Sequence, residues 1–372
     1  MPEPSFFLTF ANQLSSPSHV ACVVNPEADT LEWLRTPKHT EGATGASGAC
    51  LLAPDTLAFC LQGSPPAAVV LRLSTKKILQ ILPLEKVVDP HSIAIYQDHL
   101  YVTSTGTNTI IQLTLDGTTL CGEKLFWRYP GVPDSDNVVH LNGITRFQES
   151  FIVSCFGENT PTSSQRNGHL LLVDTGIPIV ENLNQPHSPL FLDNTLFVAE
   201  SGTGKILIFD HLGDQKFVLR AEITTGGYPR GLALRGRNLF VGLSSTRNIS
   251  KSQQKMLGSQ NQTNITSIAR IDLDAMSYHI VSDLQPFARE IFDLCIIEGS
   301  GPLTQKFTSL TSRVLEMELV AERFFQNHRV AHDEVQRLHE ATRIFQSSLS
   351  WKVTAPLRWL AGKVGFRSGN DT

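Results

Sequence analysis

One strand pattern occurs four times in this chain, and the repetition constrains the fold more than any other feature. In residues 187–210 (HSPLFLDNTLFVAESGTGKILIFD), three short apolar segments are separated by turn-forming residues. Alternating apolar positions between Gly, Asn and Asp turns predict two tight β-hairpins. Similar text begins at His91, His140 and Arg230, so that successive starts are 49, 47 and 43 residues apart. A four-stranded unit repeated about every 40–50 residues is typical of a β-propeller.

The number of blades follows from the two ends of the propeller. Residues 5–35 contain three strand-like runs without an inner strand before them, and a matching strand appears late in the chain as EIFDLCII. We therefore expect Ile291–Ile297 to pair with the N-terminal strands, which would leave no exposed sheet edge. The second blade is predicted at residues 48–90. The sequence thus predicts an all-β, six-bladed β-propeller over residues 1–302, with its other blades beginning at His91, His140, His187 and Arg230.

Two further segments are predicted after the propeller. From Leu310 to residue 349, apolar or small residues recur in a 4-3 alternation, which predicts a long amphipathic α-helix within residues 303–349. This helix would form a coiled-coil homodimer through residues 310–349 or lie along the propeller wall. Residues 350–372 form a basic and aromatic tail, of which residues 350–367 suit an anionic membrane surface. A terminal helix docked on protein is the alternative.

Composition and sequence pattern indicate the cellular compartment and argue against one class of partner. A net charge of −4 argues against a nucleic-acid-binding protein. The chain has no run of eighteen apolar residues, no visible signal peptide and no CxxC spacing among its six cysteines, which are interpreted as buried reduced thiols. We expect a cytoplasmic protein that is peripheral to the inner face of the membrane if its tail binds lipid. The polar stretch 248–266 is interpreted as either a lid or a solvated loop.

The candidate site follows from propeller geometry. The inner strands of all blades surround one channel and start at the same face, so their first residues converge there. His91, His140, His187 and Arg230 are predicted to meet in this way. Asn142 lies two residues beyond His140 and therefore faces the same direction.

Turns between second and third strands reach the same face and add further candidates. They carry Glu200, Ser201 and Arg247. Ser188 adjoins His187, and Tyr228 lies two residues before Arg230. We predict that Asn142, Ser188, Ser201 and Arg247 bind a ligand, and that Glu200, Tyr228 and Arg230 are catalytic.

Three imidazoles could bind zinc or another divalent metal and leave one position open for an activated water. Arg230 would then bind a carboxylate or phosphate, and Glu200 would serve as a base or ligand. Alternatively, each histidine uses a ring nitrogen to fix the loop that enters its blade. No nucleotide cofactor is expected, because the GTGK segment at residues 202–205 lacks P-loop spacing.

Several motifs resemble those of a bacterial family of uncharacterised six-bladed propeller proteins. They are HLNGI (140–144), the HSP…SGTG blade (186–210), GYPRGLALRGRNLFVGLSSTRN (227–248) and EIFDLCII (290–297). The family's HDIA-like strand becomes HSIA at residues 91–94, and a WR-type element is reduced to Gln165-Arg166. The resemblance covers roughly residues 85–300. It implies the fold and carries no established activity.

The tail supplies a second resemblance. SWKVTAPLR at residues 350–358 is similar to a short motif, SWR-[LI]-T-x-PLR, found in bacterial glycosyltransferase and surface-polysaccharide proteins. Two functions remain open. One is a metal-dependent lyase or hydrolase acting on an anionic or carbohydrate-like substrate, in an arrangement similar to zinc lyases built on six-bladed propellers. The other is a non-catalytic ligand-binding or scaffold protein in polysaccharide or glycan assembly.

Overall fold

The computed structural model describes residues 3–11, 19–34, 44–133, 136–158, 167–245 and 265–297. These residues form twenty-four strands in six four-stranded antiparallel sheets. The predicted six-bladed all-β propeller is therefore confirmed. The unit Met1–Gln305 contains it, and the unit Lys306–Thr372 lies outside the described residues. The predicted helix, the basic tail and most of the stretch 248–266 also lie outside them, and so stay predictions.

The six blades are numbered from the one that contains the N-terminal strands. Within the described ranges, the strands in chain order are β1 (Ser5–Phe10), β2 (Ala21–Asn25), β3 (Thr30–Trp33), β4 (Gly45–Ala53), β5 (Thr56–Gln62), β6 (Ala67–Arg72), β7 (Lys77–Pro83), β8 (Pro90–Tyr96), β9 (His99–Ser104), β10 (Thr109–Asp116), β11 (Thr119–Arg128), β12 (Leu141–Phe147), β13 (Ser150–Cys155), β14 (Gly168–Leu172), β15 (Pro178–Leu183), β16 (Pro186–Leu192), β17 (Thr195–Glu200), β18 (Lys205–His211), β19 (Phe217–Thr224), β20 (Tyr228–Arg235), β21 (Asn238–Ser244), β22 (Ser267–Asp272), β23 (Ser277–Asp283) and β24 (Ile291–Ile297). The inner strands of blades 1 to 6 are β24, β4, β8, β12, β16 and β20.

Strands from both ends of the propeller close it, as predicted. The first sheet has the order β24-β1-β2-β3, and Leu8 of β1 pairs with Leu294 of β24. Aromatic contacts join this blade to both neighbours. Phe6 packs 5.0 Å from Phe240 of blade 6, and Phe7 packs 5.5 Å from Phe59 of blade 2. Closure therefore buries large aromatic rings on both faces of the first sheet, which contributes hydrophobic stabilisation as well as hydrogen bonds.

Burial within a blade explains why some strands are continuously apolar. In β17 every residue after the first is buried, because its sheet packs between two neighbouring sheets. The outermost strand of the same blade, β19, is mostly exposed. The core is thus a set of interfaces between neighbouring blades, and the outer strands face solvent.

The inner strands pack closely around the channel. Gly48 of β4 shows this, because a Cβ atom there would lie 2.6 Å from the Cα of Ser92 and from the backbone nitrogen of Ile93. No side chain fits at such a distance without a shift of the backbone. Within the described ranges, no helix has the length and apolar character needed to cross a membrane.

All six cysteines are free. Burial raises the pKa of the Cys60 thiol to about 12, which fits the prediction of buried reduced thiols. Cys121 is exposed instead, because it lies on the outermost strand β11. The prediction was wrong for this residue.

Candidate functional site

Strand register shows which residues of the inner strands are equivalent. In blades 3 and 4, Ile93 and Ile144 are each the first residue to pair with the second strand after a bulge. His91 and Asn142 lie two residues before them, so Asn142 takes the place of His91 in blade 4. The predicted equivalence of His140 with His91 is therefore wrong by two residues. His140 precedes β12 and has a left-handed φ of 49°.

A repeated hydrogen bond marks the same position in other blades. The residue before Asn142, Arg230 or Phe292 accepts a hydroxyl hydrogen bond from the preceding blade through its carbonyl. The donors and acceptors are Thr105 to Leu141 (2.6 Å), Ser201 to Pro229 (2.5 Å) and Ser244 to Ile291 (3.0 Å). We call the set of equivalent inner-strand positions the entrance level. Ser47 lies two residues before Ala49, which pairs after the bulge in blade 2. His187, like His91, follows a proline that pairs with the end of the second strand. The members of the entrance level are Ser47, His91, Asn142, His187, Arg230 and Phe292.

Seven side chains form a closed ring of contacts at the channel mouth, which we call the mouth ring. Ring centroids are 5.0 Å apart for His91 and His140, 4.3 Å for His140 and Phe156, 5.0 Å for Phe156 and His187, and 5.5 Å for His187 and Tyr228. The guanidinium carbon of Arg230 lies 5.1 Å from the centroids of both Tyr228 and Phe292. Phe292 closes the circle 5.2 Å from His91. The predicted convergence of His91, His140, His187 and Arg230 is thus observed in the structure.

The entrance level concentrates buried polar atoms that have no hydrogen-bond partner among the described residues. Four inner strands each contribute one such atom. They are Ser47 Oγ, Asn142 Nδ2, His187 Nε2 and Arg230 Nε. Buried polar atoms in folded proteins are nearly always hydrogen-bonded. Four further atoms of this kind lie on β1, β3 and β22, so the entrance level holds half of those in the described residues.

His187 is 1% exposed and its protonation is set by its neighbours. Its Nδ1 lies 3.0 Å from the carbonyl oxygen of Gln185, which can only accept, so Nδ1 carries the hydrogen. Burial holds the pKa of His187 well below its usual range, and the charge of Arg230 and the proximity of His140 lower it further. The imidazole is therefore neutral, with a lone pair on Nε2.

His91 repeats the backbone contact of His187, because its Nδ1 lies 3.1 Å from the carbonyl oxygen of Asp89. The alternative expectation, that a ring nitrogen fixes the loop entering the blade, holds for both histidines. In each case Nδ1 makes this contact, so the same imidazole can fix its loop and present Nε2 to the channel.

Arg230 is 6% exposed and lies between two aromatic rings. Its Nη1 is 3.8 Å from Oε2 of Glu290, a separation that gives an ion pair without a direct hydrogen bond. The hydroxyl of Tyr228 donates a 2.8 Å hydrogen bond to Gln185, so this ring is held in place. Stacking on aromatic faces suits a guanidinium, which retains in-plane N–H donors for an anion.

Three predicted site residues make hydrogen bonds within the scaffold. The carboxylate of Glu200 accepts hydrogen bonds from the backbone N–H of Asn184 and the hydroxyl of Thr203. Ser188 Oγ accepts one from the backbone N–H of Gly231, at 2.9 Å. Ser201 donates to the next blade. These side chains support the mouth ring and are not members of it, and Arg247 lies outside the described residues.

The three histidines predicted as metal ligands all belong to the mouth ring. The ring of Phe156 lies between those of His140 and His187, in contact with both. Within the described ranges, no three His, Cys, Asp or Glu side chains are placed to hold a metal ion. Binding a metal here would require imidazole rotation, and the metal site stays a prediction.

Some residues of the site were missed by sequence reasoning. Phe292 and Glu290 lie in EIFDLCII, which was recognised as an inner strand, and aligning it with the other inner strands would have indicated Phe292. Ser47 lies just before residues 48–90, the predicted second blade, although β4 already begins at Gly45. Phe156 follows β13 and has no counterpart in the histidine pattern.

Comparisons with known proteins agree with the propeller fold. The structure of a nidogen/laminin complex contains a chain that is 14% identical, with a TM-score of 0.53 over 79% of this chain and 100% of that one. A protein of unknown function from Bacteroides caccae is 13% identical, with a TM-score of 0.53 over 80% and 100% of the two chains. A luciferin-regenerating enzyme is 14% identical and has a TM-score of 0.45 over 69% and 77%. The two likenesses with a TM-score of 0.53 concern the fold alone, and the one with a TM-score of 0.45 carries no argument.

No curated protein matches the sequence. A protein-family model described as a domain of unknown function, DUF4915, matches residues 133–303. The matched region extends from just before blade 4 to six residues beyond β24, and so includes six of the seven mouth-ring residues. The chain is thus a six-bladed β-propeller in which residues 133–303 match the DUF4915 domain of unknown function.

Proposed function

We propose that the mouth ring binds a small anionic molecule and that His187 exchanges a proton with it. The observation that carries this proposal is the group of four buried polar atoms that find no hydrogen-bond partner in the part of the chain that the structure describes, one each from Ser47, Asn142, His187 and Arg230. They come from four strands that surround the same channel. A ligand with several polar atoms would satisfy them together, and burial makes each such hydrogen bond worth more than it is in water.

The charge of the ligand follows from Arg230. Its guanidinium is buried between Tyr228 and Phe292, and Glu290 is too far away for a direct hydrogen bond. A carboxylate or phosphate would receive charge-assisted hydrogen bonds from it. Anionic sugars and other small carboxylates combine this charge with hydroxyl groups for Asn142 and Ser47.

The charges of Arg230 and of the bound anion also determine the pKa of His187, and so whether it can act as a base. In the free protein the charge of Arg230 helps to keep His187 neutral. An anion bound to Arg230 would offset that charge and raise the pKa of the imidazole towards neutrality. Proton transfer to Nε2 would then be favoured only when a substrate is bound, as a lyase or hydrolase requires.

A metal-dependent version of this function uses His91, His140 and His187 as zinc ligands. Elemental analysis of purified protein separates the two versions. Stoichiometric zinc that is lost on replacement of any one histidine supports the metal-dependent enzyme. Metal-free protein that still binds anions supports the version in which the imidazoles act alone.

The scaffold function in glycan assembly depends on residues 303–372 and stays a prediction. The four buried polar atoms of the entrance level that lack a hydrogen-bond partner among the described residues favour a small ligand, because a scaffold role does not require them. Deleting residues 303–372 tests the scaffold function separately from anion binding. Loss of membrane or partner association with unchanged anion binding would show that both functions coexist.

Calorimetric titration with inorganic phosphate, citrate and galacturonate tests anion binding at the mouth. Arg230→Gln removes the guanidinium and keeps a hydrogen-bonding side chain, so we expect at least about tenfold weaker binding of whichever anion the wild type prefers. Arg72→Gln is the matched control, because Arg72 is exposed on β6. Equal affinities for wild type and Arg230→Gln would contradict the proposal.

A further inference from the structure

The far half of the channel contains a cavity that is separate from the mouth ring. Its volume is about 350 Å³, and residues of all six inner strands line it. Ser92, Ser188 and Asp293 border it on the side nearest the mouth, and Leu51 and Arg146 border it on the opposite side. The lining includes none of the seven mouth-ring residues. Its size falls within the range of about 300–1,000 Å³ that is typical of small-molecule sites.

Most of the cavity wall is apolar. Ile93, Ile144, Pro189, Leu232 and Leu294, from five different blades, contribute to it. Such a wall favours the apolar part of a ligand, because contact removes hydrocarbon surface from water. The polar part must be recognised by the few polar side chains that line the same space.

Asp293 supplies the carboxyl group of this cavity. Its Oδ2 accepts a 2.9 Å hydrogen bond from the backbone N–H of Ala49 in the next blade, and its Oδ1 accepts one from Leu294. Although it lies deep in the propeller, Asp293 is only half-buried. Each oxygen keeps a further lone pair for a ligand.

Equivalent positions in other blades show that a hydrogen bond of this kind between neighbouring blades does not need a charged acceptor. Ser188 accepts the corresponding hydrogen bond from Gly231 of the next blade, at 2.9 Å, and Ser92 accepts one from Ile144, at 3.4 Å. A serine hydroxyl is sufficient at both places. The carboxylate of Asp293 therefore brings a negative charge to the cavity beyond what blade packing requires.

The groups around Asp293 do not neutralise it. The titratable neighbours are the thiols of Cys50 and Cys295, and burial raises the pKa of both, so they stay uncharged. Arg146 lies at the far side of the cavity, where its guanidinium stacks 4.3 Å from the Tyr96 centroid and its Nε donates to the Gln148 carbonyl. No ion pair joins Asp293 to a cation in the part of the chain that the structure describes.

We propose that this cavity binds a small organic cation, with a primary ammonium group on the Asp293 carboxylate and an apolar body against the channel wall. Burial raises the pKa of Asp293 to about 6, as expected for a carboxylate that lacks a cationic partner. An ammonium ion would remove that penalty. This site does not depend on anion binding at the mouth, and either can fail without the other.

Titration with benzylammonium, and with benzyl alcohol as its neutral counterpart, tests the proposal. We expect the wild-type protein to bind benzylammonium more tightly than benzyl alcohol. Asp293→Asn should weaken benzylammonium binding at least about tenfold and change benzyl alcohol binding less than about twofold. Asp116→Asn, an exposed carboxylate at the end of β10, is the control and should leave both unchanged.

A pH series on the wild-type protein keeps the test decisive if Asp293→Asn does not fold. Benzylammonium stays charged throughout, whereas Asp293 becomes protonated below about pH 6. The affinity of the protein for benzylammonium should therefore fall about tenfold from pH 7.5 to pH 5. Its affinity for benzyl alcohol should not change over this range. Benzylammonium binding that is no tighter than benzyl alcohol binding, or that does not depend on pH, would overturn the proposal.

Discussion

Nδ1 of His187 lies 2.8 Å from the hydroxyl oxygen of Ser201. That hydroxyl donates its hydrogen to the carbonyl of Pro229, 2.5 Å away, so it cannot also donate to the imidazole. The imidazole therefore donates through Nδ1 and keeps Nε2 for the channel. Ser201 therefore has two roles. It joins blades 5 and 6 through its hydrogen bond to Pro229, and it helps to fix the tautomer of His187.

Ser201→Ala should affect both properties. Loss of the hydroxyl leaves the Pro229 carbonyl without this donor, and we expect a loss of about 1–2 kcal/mol in the free energy of unfolding. It also removes one acceptor from Nδ1–H, so the Nε2–H tautomer of His187 should become more populated. Denaturant titration measures the first effect, and ¹⁵N chemical shifts of the imidazole measure the second.

Ser244→Ala is the matched control for this prediction. Ser244 makes the equivalent hydrogen bond, to Ile291, and contacts no imidazole of the mouth ring in the described residues. It should lose similar stability and leave the His187 shifts unchanged. Identical imidazole spectra for the two variants would show that Ser201 does not set the tautomer.

Anion binding at the mouth should be coupled to proton uptake by His187. The free imidazole is neutral because burial, Arg230 and His140 lower its pKa, and a bound anion should raise that pKa. At pH 6 the complex should therefore hold more protons than the free protein. Calorimetry of phosphate binding in buffers with different ionisation enthalpies measures this number.

His187→Gln should abolish the proton uptake and retain part of the anion affinity, because Arg230 is still present. His279→Gln is the control, since His279 is exposed on β23. Uptake that persists in His187→Gln would assign the proton to another group, either in the mouth ring or on the phosphate itself, which also titrates near neutral pH.

Gly48→Ala should destabilise the propeller strongly. The added Cβ would lie 2.6 Å from the backbone of β8, and neighbouring inner strands cannot separate without disturbing the whole channel. We expect a loss of about 3 kcal/mol in the free energy of unfolding. Gly117→Ala meets no atom of the described residues within 4 Å and carries only the strain of its φ of 62°, which costs about 1–2 kcal/mol. A smaller loss for Gly48→Ala than for Gly117→Ala would contradict this packing argument.

The blades could be predicted from the sequence because each contains local hairpins with turn residues at regular intervals. Blade closure followed from the unmatched strand at Ile291–Ile297. The entrance level was harder to predict, because inner-strand position depends on register and not on the occurrence of histidine. In blade 4 the histidine of HLNG precedes the strand, and Asn142 takes the equivalent place.

Residue type alone also misled the assignment of side-chain roles. The second blade was predicted to begin at residue 48, which left Ser47 outside it, whereas β4 begins at Gly45 and close packing of the inner strands requires small residues there. Glu200 was expected to act at the site, but its carboxylate is held by Asn184 and Thr203. Short-range hydrogen bonds of this kind depend on turn geometry that the sequence pattern does not reveal.

Asp293 should make stability depend on pH in the direction opposite to most carboxylates. Its pKa rises from 3.8 to about 6 on folding, so between these values the folded protein binds more protons than the unfolded chain. Its contribution is therefore fully present below about pH 4 and is lost as pH rises through about 6. The shift corresponds to at most about 3 kcal/mol.

Asp293→Asn isolates this effect, because the asparagine cannot ionise. The free energy of unfolding of the variant minus that of the wild type should increase by up to about 3 kcal/mol between pH 4 and pH 7. Taking the difference cancels the opposite pH dependence of His187, whose lowered pKa costs stability as pH falls below 6.5. Denaturant titrations across this range measure it, with Asp116→Asn as the exposed control. A difference that stays constant from pH 4 to pH 7 would mean that Asp293 titrates alike in the folded and unfolded chains.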